Sequence, residues 1–207
     1  MGFANIKEMK DIDMDFAISI AVKIPKEVIQ GIKNGPTIEY YNQYKILNKK
    51  LDNIALFCEE YLKLIGYKAF AQTVERVKEF GNYRTILPHK TVATRAGLGW
   101  IGKNALLITK EYGSAIRITS IITNAPLECG EPIIESRCGQ CLNCTISCPG
   151  KAILGKLWNV NLDRDEFFSP LDCRKAARKI AKERIDKEIT LCGKCIEVCP
   201  YTKRYVD

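Results

Sequence analysis

The chain has 207 residues, 46% of them hydrophobic, and a formal net charge of +8. Such a composition excludes wholesale disorder and is large enough for one good core plus a smaller second module. No apolar run reaches the roughly 18 to 20 residues of a membrane helix, and the mild basic excess fits an acidic partner or RNA without diagnosing either.

Nothing near Met1 reads as a signal peptide, and Ile6 stands where a myristoylation signal needs Ser or Thr, so a cytoplasmic protein with no membrane association is expected. From Asp15 to Val22 the residues Phe16, Ile18, Ile20 and Val22 alternate with small ones, which predicts a strand. Asn34-Gly35-Pro36 breaks the chain. Beyond it Tyr40, Tyr44, Leu47, Leu51, Ile54, Cys58, Tyr61 and Ile65 form the stripe of a long amphipathic helix that stops at Gly66. Cys58, inside that stripe, reads as a small buried hydrophobe rather than a ligand. Tyr67 to Val74 is strand-like, Phe80 to Pro88 a loop, and Thr91 to Arg95 a short helical turn ended by Gly97. After G-L-G-W-I-G-K-N, the segments A-L-L-I-T and A-I-R-I-T-S-I-I-T, separated by Gly113-Ser114, predict two strands paired as a hairpin. Pro126 to Arg137 reads as a linker, Trp158 to Leu171 as irregular, and Asp172 to Lys187 as a basic helix.

Ten cysteines are present, and eight of them carry ligand spacing. The run C-G-Q-C-L-N-C-T-I-S-C-P places Cys138, Cys141, Cys144 and Cys148 so that three thiolates wrap one cubane while the fourth points to a second. A closing run, C-G-K-C-I-E-V-C-P, supplies Cys192, Cys195 and Cys199. Cys173, between the runs, makes the eighth thiolate that two [4Fe-4S] clusters need. In the two-cluster arrangement the last cysteine of each run crosses over, which predicts Cys138, Cys141, Cys144 and Cys199 on one cluster. The other then takes Cys192, Cys195, Cys148 and Cys173. Zinc is the alternative, but structural zinc sites pair separated knuckles or add histidine, and His89 is the single histidine, far upstream. Disulfides do not suit metal spacing in a chain without a leader. Each oxidised cluster carries a charge of about −2, so two of them lower the chain's +8 to about +4.

The loop Gly97 to Asn104 nearly matches a phosphate-binding G-x4-G-K-[ST] pattern, with Gly97, Gly102 and Lys103 in register. Asn104 replaces the magnesium-binding hydroxyl and strand-like residues follow, so that reading fails. Two readings of the loop stay open: a tight strand entry, or a backbone that approaches a ligand closely beside Trp100 and Lys103.

A-G-L-G-W-I-G-K-N, the Gly113-Ser114 turn, C-G-x-C-x2-C-x3-C-P, a lone cysteine and the closing C-x2-C-x3-C-P together resemble the epoxyqueuosine reductase family, cobalamin- and [4Fe-4S]-dependent enzymes of tRNA modification related to reductive dehalogenases. The resemblance runs from about Asp15 to Pro200. It implies an α/β (α+β) corrinoid-binding domain, residues 1–128, and a double-cluster ferredoxin-like domain, residues 129–207. It also implies that Gly97, Leu98, Gly99, Trp100, Gly102, Lys103 and Asn104 lie at a corrinoid and that the clusters feed it electrons. The family's catalytic aspartate falls in a D-S-A-P-V-L-E-R-like segment; here that stretch reads Y-R-T-I-L-P-H-K, with Tyr83 near the aspartate position. The family's C-terminal helical repeats that hold tRNA are missing, so a short form is expected.

The leading expectation is a corrinoid-dependent reductase acting on a small molecule or a protein, with tRNA disfavoured, and with His89 and Tyr83 as candidate proton donors. A ferredoxin or flavodoxin would be the low-potential electron donor. The alternatives are an electron-transfer protein that activates a partner, for which the basic helix would be a docking face, and an RNA-binding module with structural clusters.

Overall fold

The structure is a computed structural model that describes residues 1–9 and 11–207. Its strands and helices alternate irregularly, as in a mixed α/β fold. Strand β1 (Gly2–Asn5) pairs antiparallel with β2 (Phe16–Lys23), Ala4 opposite Ala17, and buries Ala4 and Ile6. Helix α1 (Lys26–Gly31) starts after Pro25, whose fixed φ suits a helix entry. Helix α2 (Ile38–Leu64) buries Tyr40, Leu47 and Leu51 of the expected stripe, joined by Ala55 and Leu62, whereas Tyr61 and Ile65 are exposed because the buried face drifts to Leu62; Gly66 follows the helix end. Strand β3 (Ala69–Ala71) pairs antiparallel with β6 (Ile116–Thr123), and the four-stranded sheet runs in the order β1-β2-β6-β3.

Only three residues of the strand-like stretch from Tyr67 to Val74 form β3; the Gln72 amide still reaches the Ser120 carbonyl of β6, but the Arg76 and Val77 amides then turn back onto the Thr73 carbonyl and end the strand. Helix α3 (His89–Arg95) is followed by Gly97 at φ +72°, where a side chain's Cβ would meet the Glu131 carbonyl oxygen at 2.8 Å. That left-handed, crowded position favours glycine.

The expected hairpin between A-L-L-I-T and A-I-R-I-T-S-I-I-T does not form. Strand β5 (Leu107–Ile108) pairs instead with β4 (Trp100–Ile101) in a separate two-stranded sheet, while β6 joins the larger one. The cause is local: the Gly102 amide donates to the Leu106 carbonyl and the Leu106 amide to Asn104 Oδ1, closing a turn before Gly113 is reached. A one-residue bridge, Thr109 to Gly113, is what remains of the second turn.

Two compact units result, each assembled from separated stretches of chain. The first comprises residues 1–22, 46–99 and 117–134, apart from residue 10. Its apolar core joins Ile18, Ile20, Leu51, Ala55, Leu62 and Ile121, and a second cluster gathers Ala4, Ile6, Val92 and Ile122. Cys58 packs at the edge of the first cluster, and burial raises its thiol pKa. The second unit comprises residues 23–45, 100–116 and 135–207. It holds α1, β4 and β5 and the short helices α4 (Asn143–Ile146), α6 (Lys194–Glu197) and α7 (Pro200–Val206). It also holds α5 (Pro170–Ile185), capped by Ser169, whose Oγ accepts from the Asp172 amide. No helix among the described residues is long and apolar enough to cross a membrane.

Candidate iron–sulfur centre and glycine loop

Each cysteine run leaves its thiols on a loop that turns into a single helical turn. Prolines 149 and 200 follow the last cysteine of each run, and Pro200 opens α7. Within the second unit Cys138, Cys141, Cys144 and Cys199 line one cavity together with Lys103, Asn104, Ile108, Pro200 and Tyr201. Burial pushes the Cys144 thiol up to about 11, with Cys138, Cys199 and Cys141 adding to it as neighbouring thiols. Burial likewise pushes Cys173 up to about 11, and there the neighbouring thiols are Cys148 and Cys192. Cys195, raised well above its ordinary value by burial, feels Cys173 and Cys192 most strongly among the thiols. Cys144 thus lies among Cys138, Cys199 and Cys141, and Cys173 among Cys148 and Cys192, while Cys195 feels Cys144 as well as Cys173, Cys192 and Cys148.

Among the described residues no three His, Cys, Asp or Glu side chains are placed to hold one metal ion. A cubane makes a different demand, because each of its four irons takes one thiolate and the ligands surround a volume rather than a point. Amide donors are arranged for anionic sulfur as well. Burial raises the Cys199 thiol, and hydrogen bonds from the Thr202 and Tyr201 amides at the start of α7 oppose that rise. The Ala152 amide donates to Cys148 Sγ at 3.4 Å.

The glycine loop divides between the units. Gly97 and Leu98, exposed and half-buried, and the buried Gly99 belong to the first; Trp100, Gly102, Lys103 and Asn104 belong to the second and are buried. Trp100 is 1% exposed and stacks edge-on with Tyr201 at 4.9 Å, with the Arg137 guanidinium 5.9 Å from its ring. Its indole Nε1 has no hydrogen-bond partner among the described residues. A Cβ on Gly102 would collide with Ile108, so this glycine serves the β4–β5 turn.

Lys103 and Asn104 reach into the cysteine loops. Lys103 Nζ donates to the Cys141 carbonyl at 3.0 Å, and Asn104 Nδ2 donates to the Cys195 carbonyl at 3.4 Å. Asn143 Nδ2, from the first run, donates to the Val198 carbonyl of the second at 3.4 Å. The Gly113-Ser114 turn has a matching job: the Ser114 amide donates to Thr202 Oγ1 at 3.2 Å, and a Cβ on Gly113, at φ +56°, would strike the Thr202 backbone. The loop and the turn therefore fasten the two cysteine runs.

In the first unit His89 opens α3, and its Nδ1 lies 2.8 Å from Ser120 Oγ. Gln72 Nε2 donates to the same oxygen at 2.6 Å, and Ser120 Oγ, with a second lone pair and its own proton, pairs with His89 Nδ1 in either ring tautomer. Burial, with the positive Arg117 nearby, lowers the imidazole pKa to about 4 and keeps it neutral at pH 7. Ser120, Gln72 and Arg117 escaped the sequence reading, although Thr119-Ser120 inside an otherwise apolar strand was a usable signal. Tyr83 lies in the loop closed by the Phe80–Arg84 bridge, at φ +54°, with about 36% of its surface exposed. A non-glycine residue held there carries strain of the kind that gathers at functional sites.

The family model described as 4Fe-4S double cluster binding domain matches residues 137–202. An epoxyqueuosine reductase from Lactococcus garvieae is 36% identical over 141 residues, 66% of this chain and 39% of that one. The catabolic reductive dehalogenase NpRdhA, solved in complex with 3-bromo-4-hydroxybenzoic acid, superposes with a TM-score of 0.70 at 18% identity over 91% of this chain and 26% of its own. The epoxyqueuosine reductase of Streptococcus thermophilus gives a TM-score of 0.55 at 26% identity, covering 92% of this chain and 50% of its own. The chain spans between about two fifths and about half the length of the curated relatives it matches.

Proposed function

We propose that this epoxyqueuosine reductase-like chain is an iron–sulfur reductase in which two [4Fe-4S] clusters deliver electrons to a corrinoid seated at the glycine loop. One cluster takes Cys138, Cys141, Cys144 and Cys199, and the other takes Cys192, Cys195, Cys148 and Cys173. The observation that carries the reading is the cavity shared by the first four thiols with Lys103 and Asn104, which puts the glycine loop's end at a cluster wall. Cubane clusters reach potentials several hundred millivolts below zero, low enough for reduced cobalt. When bound, the corrinoid supplies the low-valent metal centre at which the substrate is reduced. Gly97 and Leu98 are the part of the loop open to a ligand.

His89 and Tyr83 are the residues assigned to the proton. A neutral His89 is a poor acid, so its imidazole orients a substrate through a hydrogen bond, while the phenol of Tyr83, on its strained loop, gives up the proton. With Tyr83 where the family has an aspartate, the substrate is a small molecule or a protein rather than epoxyqueuosine in tRNA. A structural neighbour was solved with a tRNA-Tyr epoxyqueuosine-modified stem loop, which makes that tRNA the natural competitor in an assay. Electrons enter from an acidic low-potential carrier of ferredoxin or flavodoxin type. An open cleft of about 500 Å³ beside Cys192, lined by Lys33, Arg184 and Lys194, offers it a landing place.

Anaerobic purification with iron, sulfide and corrinoid analysis tests the reading. Near eight iron and eight sulfide per chain, with a visible-spectrum change on adding cobalamin, is the expected result. Near four iron, or zinc in place of iron, refutes the cluster reading, and an unchanged corrinoid spectrum refutes the second half. Turnover of epoxyqueuosine-containing tRNA at about 1 per second or faster would overturn the substrate reading.

A further inference from the structure

We infer that Lys103 is the electrostatic partner of the first cluster and sets its reduction potential above that of the second. The inference rests on the cluster assignment proposed above. Lys103 is 4% exposed, yet no carboxylate among the described residues pairs with it. Its hydrogen-bond partner is one neutral carbonyl, that of Cys141, at 3.0 Å, inside the loop whose thiols line the same cavity. A buried ammonium is costly to keep without an opposite charge, and a carbonyl dipole answers only part of that cost. A four-thiolate cubane, at about −2 oxidised and one charge more negative when reduced, is the missing counterion. Because the attraction grows on reduction, the cation favours the reduced form and moves the midpoint upward.

The second set of thiols has a weaker counterpart. Burial raises the Cys192 thiol and the positive charge of Lys194 opposes that rise, but Lys194 is only partly buried and already paired with Glu197 Oε2 at 2.9 Å, so its charge is largely neutralised. Asn104, the neighbour of Lys103, reaches the second cysteine run with an uncharged amide. One lysine and one asparagine in sequence therefore mark the two runs with different charge. An electron arriving at the second cluster runs downhill to the first.

The test is an EPR-monitored potentiometric titration of anaerobically loaded protein with dithionite. Wild type should give two midpoints, and Cys144→Ala, lacking the first cluster, should give only the lower one. Lys103→Gln, which keeps an N–H donor for the Cys141 carbonyl but removes the charge, should shift the upper midpoint negative and leave the lower unmoved. Lys194→Met should move neither appreciably. If Lys103→Gln retains eight iron and both midpoints stay put, or both shift together, the inference is wrong. If Lys103→Gln loads only four iron, Lys103→Arg decides: recovery of eight iron with a midpoint near wild type means the positive charge is required, and failure to recover means the lysine is merely a strut. Absence of any cubane EPR signal from wild type would instead sink the cluster assignment itself, before a midpoint is read.

Discussion

Each of the two units has its own kind of internal support. The first has a four-stranded sheet and a 27-residue helix whose buried face, Leu47, Leu51, Ala55 and Leu62, supplies apolar contact of the ordinary kind. Around the cysteines of the second, α4 and α6 are four residues each, far below the length at which a helix stands alone. Their loops are tied by side-chain bonds to carbonyls, from Lys103, Asn104 and Asn143, rather than by a sheet. A fold built that way is expected to lean on a centre shared by its thiols.

The contrast breaks most visibly when the clusters are removed by oxidation and chelation. Amide protection should then vanish across residues 135–207 while α2 beyond Ile46, β3 and β6 keep theirs, as read by hydrogen exchange with mass spectrometry; uniform loss would mean the units are not separately held. The opposite damage is Leu51→Ala, 2% exposed in the first core, which should cost about 2–5 kcal/mol in urea unfolding and leave iron content unchanged.

His89 sharpens the contrast through pH. Its folded-state pKa of about 4 lies below the ordinary 6.5, so between these values the unfolded chain binds more protons and stability falls as pH falls. At about 1.4 kcal/mol per unit the effect is at most roughly 3 kcal/mol, and in His89→Gln that part of the slope should disappear. An identical slope in wild type and variant would mean that His89 is already hydrated. The smallest effect is expected from Cys58→Ala: about 1 kcal/mol or less in stability and no change in iron or sulfide. Loss of iron in that variant would make Cys58 a ligand after all.

Much of this was legible. The α2 stripe and the cysteine spacing are written by simple periods, 3.6 residues in one case and runs of two or three in the other. β1 and α1 were not: Gly2–Asn5 is a strand because β2 lies beside it, and Lys26–Gly31 is too short for a period to emerge. Alternation in A-L-L-I-T announced a strand but not its partner, which the tight turn at Gly102 to Leu106 chose. Lys103 is the instructive case. A lysine among glycines invites a ligand reading, and only the placement of Cys141 beside its ammonium, 38 residues away, reveals the other use.

The scattered make-up of the second unit also has a consequence for the newborn chain. Tyr205 Oη donates to the Ile24 carbonyl, and Gln30 to the carbonyl of Val206, so the early segment around α1 meets its partners only when the last residues have emerged. At a ribosome's 5–20 residues per second that interval is roughly ten to forty seconds. The eight cysteines, from Cys138 to Cys199, emerge only in about the last third of it, so the clusters proposed above have a short window in which to gather iron and sulfide before α7 closes on α1.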